Sequence, residues 1–166
     1  SILLLAMMVP FAATLIPLFK LFTGLGLQST WIAYILPTIS TPFLIMLFRQ
    51  STRTFPREII EAARIDGLSE NKIFAKLYFP TMKSTYAAAM TVTFMNAWNN
   101  YLWPKVIMMS ADSQTMPMMV ANLSAGYSID YGVLMLGVLI CSLPTGILFL
   151  ILQRSFTNGI LGAVKG

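Results

Sequence analysis

Long uncharged, apolar stretches alternate with short polar segments along the chain. Four such stretches cover residues 1–19, 21–48, 84–104 and 131–153. Each approaches or exceeds the roughly 20 residues that a helix needs to cross hydrocarbon. Gly24, Gly26 and the polar residues after them indicate a turn near the start of the second stretch. The pattern therefore predicts four membrane-spanning helices, at about 2–22, 31–48, 85–108 and 131–153.

The composition excludes a soluble domain. Hydrophobic residues make up 57% of the 166 residues and charged residues only 10%, compared with about 45–50% and about 25% in soluble domains. The mean hydropathy is +0.73. A compact domain of 18.4 kDa cannot hide this much apolar surface from water, so lipid must be the solvent for much of it. The predicted fold class is an all-α integral membrane protein, a helical transmembrane bundle with at least four spans.

The chain lacks the residue types on which much hydrolytic chemistry depends. It contains no histidine, which is the usual zinc ligand and the usual general base at neutral pH. Cys141 is the only cysteine and cannot form a disulfide within the chain. No glycine-rich loop ends in Gly-Lys-Ser or Gly-Lys-Thr, so ATP is not expected to bind here. We therefore predict no catalytic residue, no metal site and no cofactor in this chain.

Most of the charge lies in one polar loop. Seven of the 11 basic residues and four of the 6 acidic residues lie between Arg49 and Lys83. Lys and Arg are retained on the cytoplasmic side of a membrane, so this loop is predicted to be cytoplasmic. The loop 109–130 has no Lys or Arg and is predicted to be extracellular, whereas the tail 154–166 has two and is predicted to be cytoplasmic. The net charge of +5 therefore reflects topology, and no nucleic-acid partner is expected.

The centre of the cytoplasmic loop, residues 55–80, is predicted to form two short helices. Pro56 suits the first position of a helix. Gly67 suits a left-handed residue at the end of the first helix, and Ser69 can cap the second. Pro80 marks the transition to the next span. A helix pair that projects from the membrane is suited to docking, and the alternative is an amphipathic loop lying on the lipid headgroups.

The spacing of residues within this loop resembles a known motif. Glu61-Ala62-Ala63 is followed after three residues by Gly67 and after nine more by Leu77, and Phe79-Pro80 comes two positions later. The pattern is similar to the EAA loop of ABC importer permeases, with Leu77 in place of Ile and Phe79 in place of Leu. The resemblance implies a type I, MetI-like permease fold in which this loop couples the chain to a separate ATPase. The positions implied to take part are Glu61, Ala62, Ala63, Asp66, Gly67, Leu77 and Pro80.

Further segments, along nearly the whole chain, resemble the carbohydrate-uptake permeases of the maltose type. These segments are Met8-Val9-Pro10, Leu15-Ile16-Pro17-Leu18, Ala63-Arg64-Ile65-Asp66-Gly67, Ala97-Trp98-Asn99-Asn100, Leu102-Trp103-Pro104 and the ending from Gln153-Arg154 to Gly162-Ala163-Val164-Lys165-Gly166. They resemble the last four of the six spans of the smaller permease subunit, so about two further spans are expected upstream of Ser1. The resemblance implies a multi-pass protein of the bacterial cytoplasmic membrane.

A member of this family is implied to work with partners. The importer is built from two permease subunits, two ABC ATPase subunits and an extracellular sugar-binding protein, and ATP and magnesium are expected in the ATPases. The implied function is the movement of a mono- or oligosaccharide across the membrane by alternating access. The alternatives are a type I permease for a non-sugar solute and a non-transport membrane anchor. An intramembrane enzyme is a further rival, but its paired ionisable groups do not occur within the predicted spans.

The third predicted span carries a polar face. Asn96, Asn99, Asn100 and Trp103 fall at positions i, i+3, i+4 and i+7, which share one side of a helix. Amides can hydrogen-bond to a sugar and an indole can stack on it, so this face is a candidate substrate pathway. Hydrogen bonding between helices of the bundle is the alternative. Trp98 points away from this face and is expected to serve packing or interfacial anchoring.

The C-terminal segment is small and basic. In this family it resembles a segment that reaches the ATPase subunits, which implies a contact made by Gly162, Lys165 and Gly166. A frayed terminus is the alternative.

Overall fold

A computed structural model describes residues 2–126 and 128–164, and for Ala111 and residues 154–164 it describes the backbone only. Every regular element in these ranges is helical, which confirms the predicted all-α class. The helices are α1 (Ile2–Met8), α2 (Phe11–Gly24), α3 (Trp31–Ile35), α4 (Pro42–Arg53), α5 (Arg57–Ile65), α6 (Glu70–Ile73), α7 (Phe79–Thr81), α8 (Lys83–Trp98), α9 (Leu102–Ile107), α10 (Met116–Leu123) and α11 (Tyr131–Val164). Leu36–Thr38 and Ala111–Ser113 form 3-10 turns, and Phe74–Tyr78 forms a π-helical turn.

The first of two compact units comprises Ser1–Pro42 and Thr93–Leu148. Its core is built around the short helix α9, and the buried residues are Phe22, Ala33, Trp103, Ile107 and Met108. Within this unit Gly137 lets α10 lie close to α11, because a Cβ at Gly137 would stand 3.4 Å from side-chain atoms of Val120 and Leu123.

The second unit comprises Phe43–Val92 and Phe149–Gly166. Its buried cluster joins α4 and α8 through Leu47, Ala88 and Ala89. The alanines leave room for α4 to approach closely, as small residues do where membrane helices pack. The hydroxyl of Thr85 donates to Ser51 Oγ at 2.9 Å, which adds a polar tie between the same two helices.

The four predicted spans differ in how continuous they are. Within α11, residues Tyr131–Gln153 form a helix that is long and apolar enough to cross a membrane. The predicted span 2–22 consists of α1 and α2, which meet at an angle of 91°. The bend falls at Pro10, which lies just before α2 and disfavours helical backbone in the residue preceding it.

The other two predicted spans are also interrupted. Over 31–48, the chain forms α3 with its 3-10 extension and then α4, and these helices reach the length of a span only when taken together. Over 85–108, α8 ends at Trp98 and α9 begins at Leu102, so a continuous helix there was the wrong expectation. Pro104 favours this break, because it has no N–H for the carbonyl of Asn100 and lies in the first turn of α9, where a proline costs little. The assignment of the spans to a membrane stays a prediction.

Candidate functional site

The loop that resembles the EAA motif folds as a helix, a turn and a second helix, and we call residues 55–81 the coupling element. Pro56 occupies the N-cap of α5 and not its first helical position, with φ −62° and ψ 124°. Along α5, Ala63 is buried, whereas Glu61 and Ala62 are exposed. The first two residues of the Glu-Ala-Ala triplet therefore lie on the surface, and the third supports the fold of the element.

Two backbone hydrogen bonds confirm the predicted left-handed turn at Gly67. The N–H of Leu68 donates to the carbonyl of Ala63 at 3.0 Å, and the N–H of Gly67 donates to that of Arg64 at 3.0 Å. This pair of bonds is a Schellman motif. Gly67 has φ +76°, and a Cβ placed there would meet no atom within 4 Å. Backbone conformation alone therefore favours glycine here, by about 1–2 kcal/mol over other residues.

An ion pair connects the two sides of this turn. The Nε of Arg64, at the end of α5, donates to Glu70 Oε1 at 2.8 Å in the first turn of α6. This hydrogen bond lowers the pKa of the Glu70 carboxyl and raises the pKa of the Arg64 guanidinium. Both side chains are exposed, so the pair guides the direction of α6 without adding much stability.

The second helix differs from its prediction in two details. Ser69 occupies the N-cap position of α6, but its side chain makes no capping hydrogen bond. The helix then widens into the π-helical turn, where the N–H of Phe79 bonds to the carbonyl of Phe74. This widening relieves the clash that the ring of Pro80 would cause with the carbonyl four residues earlier in a regular α-helix.

A groove of about 450 Å³ lies along the coupling element. It brings together four of the residues that sequence reasoning assigned to coupling, namely Ala62, Ala63, Asp66 and Leu77. Glu58, Ile59 and Leu68 complete its lining. An apolar floor bordered by two carboxylates suits an apolar or cationic side chain. Glu61, Gly67 and Pro80 lie outside this lining, and the coupling role of all seven residues stays a prediction.

The predicted Asn face does not form a continuous helical stripe, because α8 ends before Asn99. Asn96 is exposed on α8. The side chain of Asn99 donates to the carbonyl of Met95 at 2.9 Å and to Thr145 Oγ1 at 3.4 Å. Asn100 Oδ1 instead accepts a hydrogen bond from the N–H of Trp103 at 3.4 Å, near the start of α9. The three amides therefore have separate surroundings.

Trp103 is part of the core of the first unit. It is fully buried, and its Nε1 donates to the carbonyl of Ala33 at 3.1 Å. Its ring packs against Phe11 and Phe22, with ring centroids 6.1 and 6.0 Å away. A side chain used in this way cannot contact a solute in this conformation. Trp98 packs as expected: its Nε1 donates to the carbonyl of Cys141 at 2.8 Å.

A connection that the sequence did not reveal holds the far end of α9. Ser29 has φ +57°, which is uncommon for a residue other than glycine. Its N–H donates to the carbonyl of Ile107 at 2.9 Å, and its Oγ accepts from the N–H of Met109 at 3.0 Å. The polar residues after Gly26 indicated a turn, but nothing in their spacing indicated which distant segment the turn would bind.

The predictions of a tail contact and of no metal site concern residues that the structure describes only in part. Gly162 lies on the backbone of α11, whereas Lys165 and Gly166 lie outside the described residues. Within the described residues, no group of three or more His, Cys, Asp or Glu side chains is placed to hold a metal ion.

Comparison with known proteins gives matches along almost the whole chain. Residues 1–161 match the family model described as "Binding-protein-dependent transport system inner membrane component". The lactose transport system permease protein LacG of Rhizobium radiobacter is 47% identical over 165 residues, which cover 99% of this chain and 60% of LacG. The arabinooligosaccharides transport system permease protein AraQ of Halalkalibacterium halodurans is 40% identical, covering 98% of this chain and 59% of AraQ.

A more distant relative is named for a phosphorylated solute. The sn-glycerol-3-phosphate transport system permease protein UgpE of Escherichia coli K12 is 30% identical over 161 residues, which cover 96% of this chain and 57% of UgpE. The chain thus spans about three fifths of the length of these curated relatives.

Proposed function

Because the chain belongs to the family of binding-protein-dependent transport system inner membrane components, we propose that it is the larger part of a sugar permease subunit. In this proposal the permease moves a mono- or oligosaccharide across the bacterial cytoplasmic membrane by alternating access. The observation that carries it is the 47% identity, along 99% of the chain, to a protein named for lactose transport. A relative named for arabinooligosaccharides points to the same substrate class.

The energy for transport is proposed to come from separate chains. The sequence has no phosphate-binding loop of the Gly-Lys-Ser or Gly-Lys-Thr type. Two ABC ATPase subunits, which would hold ATP and magnesium, are therefore proposed as partners, together with a second permease subunit and an extracellular sugar-binding protein. The similarity to UgpE supports a second candidate, a permease for a non-sugar solute such as a phosphorylated polyol.

The coupling element is the proposed contact with the ATPase. Glu61 and Ala62 are exposed on α5, and the Gly67 turn fixes the direction in which the second helix leaves. The small side chain of Ala62 permits close approach of a partner surface. The tail residues Gly162, Lys165 and Gly166 are proposed as an additional contact with the ATPase, on the family resemblance alone.

Two substitutions in the full-length permease test this proposal. Gly67→Val forces a β-branched residue into a left-handed turn, at a cost of about 1–2 kcal/mol, or roughly tenfold in an equilibrium. Ala62→Trp adds bulk at an exposed position of the same element and leaves the turn intact. Ala62 is a better position than Ala63, because Ala63 is buried and a large side chain there would unfold the element itself. Each variant is expected to reduce ATPase retention about tenfold during co-purification.

Matched controls separate docking from folding. Gly67→Asn keeps a residue that tolerates positive φ, and Ala125→Trp adds the same bulk in the predicted extracellular loop, where Ala125 is also exposed. Both controls are expected to retain the ATPase and its sugar-stimulated ATP hydrolysis in liposomes. If Gly67→Val and Ala62→Trp insert normally, retain the ATPase and couple ATP hydrolysis to uptake like the unmodified protein, the coupling assignment is wrong.

A further inference from the structure

A second cavity lies in the first unit. Its volume is about 520 Å³, within the range of roughly 300–1,000 Å³ that is typical of small-molecule sites. The cavity is bounded by α10, by the N-terminal half of α11 and by Asn99 and Tyr101, which lie between α8 and α9. Because α10 belongs to the predicted extracellular loop and Asn99 and Cys141 lie near the middle of two predicted spans, the cavity extends from that loop toward the middle of the spans.

Three polar side chains of this cavity are arranged as hydrogen-bond acceptors. Ser124 and Ser142 each donate their hydroxyl to a carbonyl of their own helix, at 2.7 and 2.9 Å, so their lone pairs remain for a ligand. The amide nitrogen of Asn99 donates to Met95 and Thr145, and no described residue donates to its Oδ1. These three groups can therefore accept hydrogen bonds from hydroxyl groups of a ligand.

Tyr101 supplies a donor and an aromatic surface. The ammonium of Lys105 can only donate, and it donates to the Tyr101 hydroxyl oxygen at 2.5 Å. The phenolic O–H thus remains available to donate to a ligand. Lys105 Nζ lies 4.9 Å from the ring centroid, at the hydroxyl edge of the ring. The remaining lining is largely apolar, with Pro117, Val120, Leu134 and Val138 contributing to it.

From this arrangement we propose that the cavity is a saccharide subsite in this subunit. Saccharides combine hydroxyl groups, which both donate and accept hydrogen bonds, with apolar C–H faces. The lining offers acceptors, one donor, a phenol ring and aliphatic walls. An anionic solute would find one cation, already bonded to Tyr101, and three groups disposed to accept. An acyl chain has no donor for the amide oxygen of Asn99 or for the hydroxyl lone pairs of Ser124 and Ser142. The proposal rests on the proposed function, because it names where in this chain the transported sugar binds.

Cys141 allows a direct test, because it lines the same cavity and is the only cysteine of the sequence. The full-length permease in its assembled complex is alkylated with a maleimide, and modification of Cys141 is followed by peptide mass spectrometry. Lactose and arabinotriose are the saccharide probes and sn-glycerol 3-phosphate is the anionic probe. Decyldimethylamine oxide at submicellar concentration is the alkyl probe, because it has an alkyl chain and no sugar. A saccharide is expected to slow the labelling several-fold, whereas the anion is expected to leave it unchanged.

Variants show whether this protection arises in the cavity. Asn99→Leu removes the free amide oxygen, and Val138→Trp fills the space. Val133→Trp is the matched control, since Val133 lies on the same helix with 48% exposure, close to the 45% of Val138, but does not line the cavity. Asn99→Leu and Val138→Trp are expected to abolish protection by lactose and to raise the sugar concentration for half-maximal uptake about tenfold. The control is expected to behave like the unmodified protein.

The outcomes separate this proposal from the proposed function. If the unmodified complex takes up sugar but neither saccharide protects Cys141, and both cavity variants transport normally, the subsite is refuted while the sugar permease stands. Equal protection by glycerol 3-phosphate would make the cavity an anion site. Stronger protection by decyldimethylamine oxide than by both saccharides would make it an acyl-chain groove. Either result overturns the proposal. If the unmodified complex takes up no sugar, the proposed function itself fails.

Discussion

Helices α2 and α5 end in turns of the same type, yet the segments that follow the two turns are held by different contacts. At the end of α2, the N–H of Leu27 bonds to the carbonyl of Phe22 at 2.9 Å and that of Gly26 to Thr23 at 3.0 Å, with Gly26 at φ +67°. This is the hydrogen-bond pattern found at Gly67, at the end of α5. The two turns therefore provide an internal comparison.

The turn at Gly67 leads into a segment that local contacts hold. The ion pair that crosses it joins residues only six positions apart, Arg64 and Glu70. The turn at Gly26 leads to Ser29, whose Oγ bonds to a residue 80 positions away. The same backbone motif can thus join two exposed helices or lead into a buried core, and the residues just after the glycine decide which.

The largest effect is expected where the distant contacts are most numerous. Trp103→Ala leaves a cavity among Phe11, Phe22 and Ala33, so the free energy of unfolding should fall by about 3–5 kcal/mol. Thermal unfolding of the full-length permease in detergent measures the loss. Trp31→Ala is the control, because Trp31 is 60% exposed and its removal should cost far less. If the two variants lose the same unfolding free energy, Trp103 does not pack in the core as described.

An intermediate effect is expected at Ser29, where a hydrogen bond and a strained backbone oppose each other. Ser29→Ala removes the bond to the N–H of Met109 and keeps positive φ, so it should destabilise the protein by about 1 kcal/mol. Ser29→Gly also removes the bond but relieves the strain, so its net change should be close to zero. The same unfolding assay separates the two. If Ser29→Gly is less stable than Ser29→Ala, the backbone at residue 29 is not strained.

The smallest effect is expected at the exposed ion pair of the coupling element. Glu70→Gln should lower stability slightly at neutral pH, and added salt should reduce the difference from the unmodified protein. Because Arg64 lowers the pKa of Glu70 in the folded state, the contribution is present above the ordinary glutamate pKa of about 4.3 and is lost as the pH falls through the lowered value. Unfolding measured from pH 7 down to pH 3 tests this, and a difference that grows on acidification would contradict it.

The sequence predicted those features that depend on neighbouring residues. The helix over 131–153 follows from its length and hydropathy, and the left-handed Gly67 follows from a glycine placed after an amphipathic helix. Features that depend on distant residues were missed. The Asn-containing stripe looked helical by spacing, but α8 ends at Trp98, a new helix begins at Leu102, and Trp103 packs in the core of the first unit. No local sequence pattern indicates that Ala33 and Ser29 contact α9.

The distance along the chain between Ser29 and Met109 also affects when their contact can form during synthesis. A ribosome adds about 5–20 residues per second, so roughly 4–16 s separate the synthesis of two residues 80 positions apart. Only about 0.3–1 s separates the synthesis of Arg64 from that of Glu70, six positions later. During synthesis the coupling element can therefore be complete while the loop at Ser29 still has no partner. The hydrogen bond between Ser29 and Met109 can form only after residue 109 has been made.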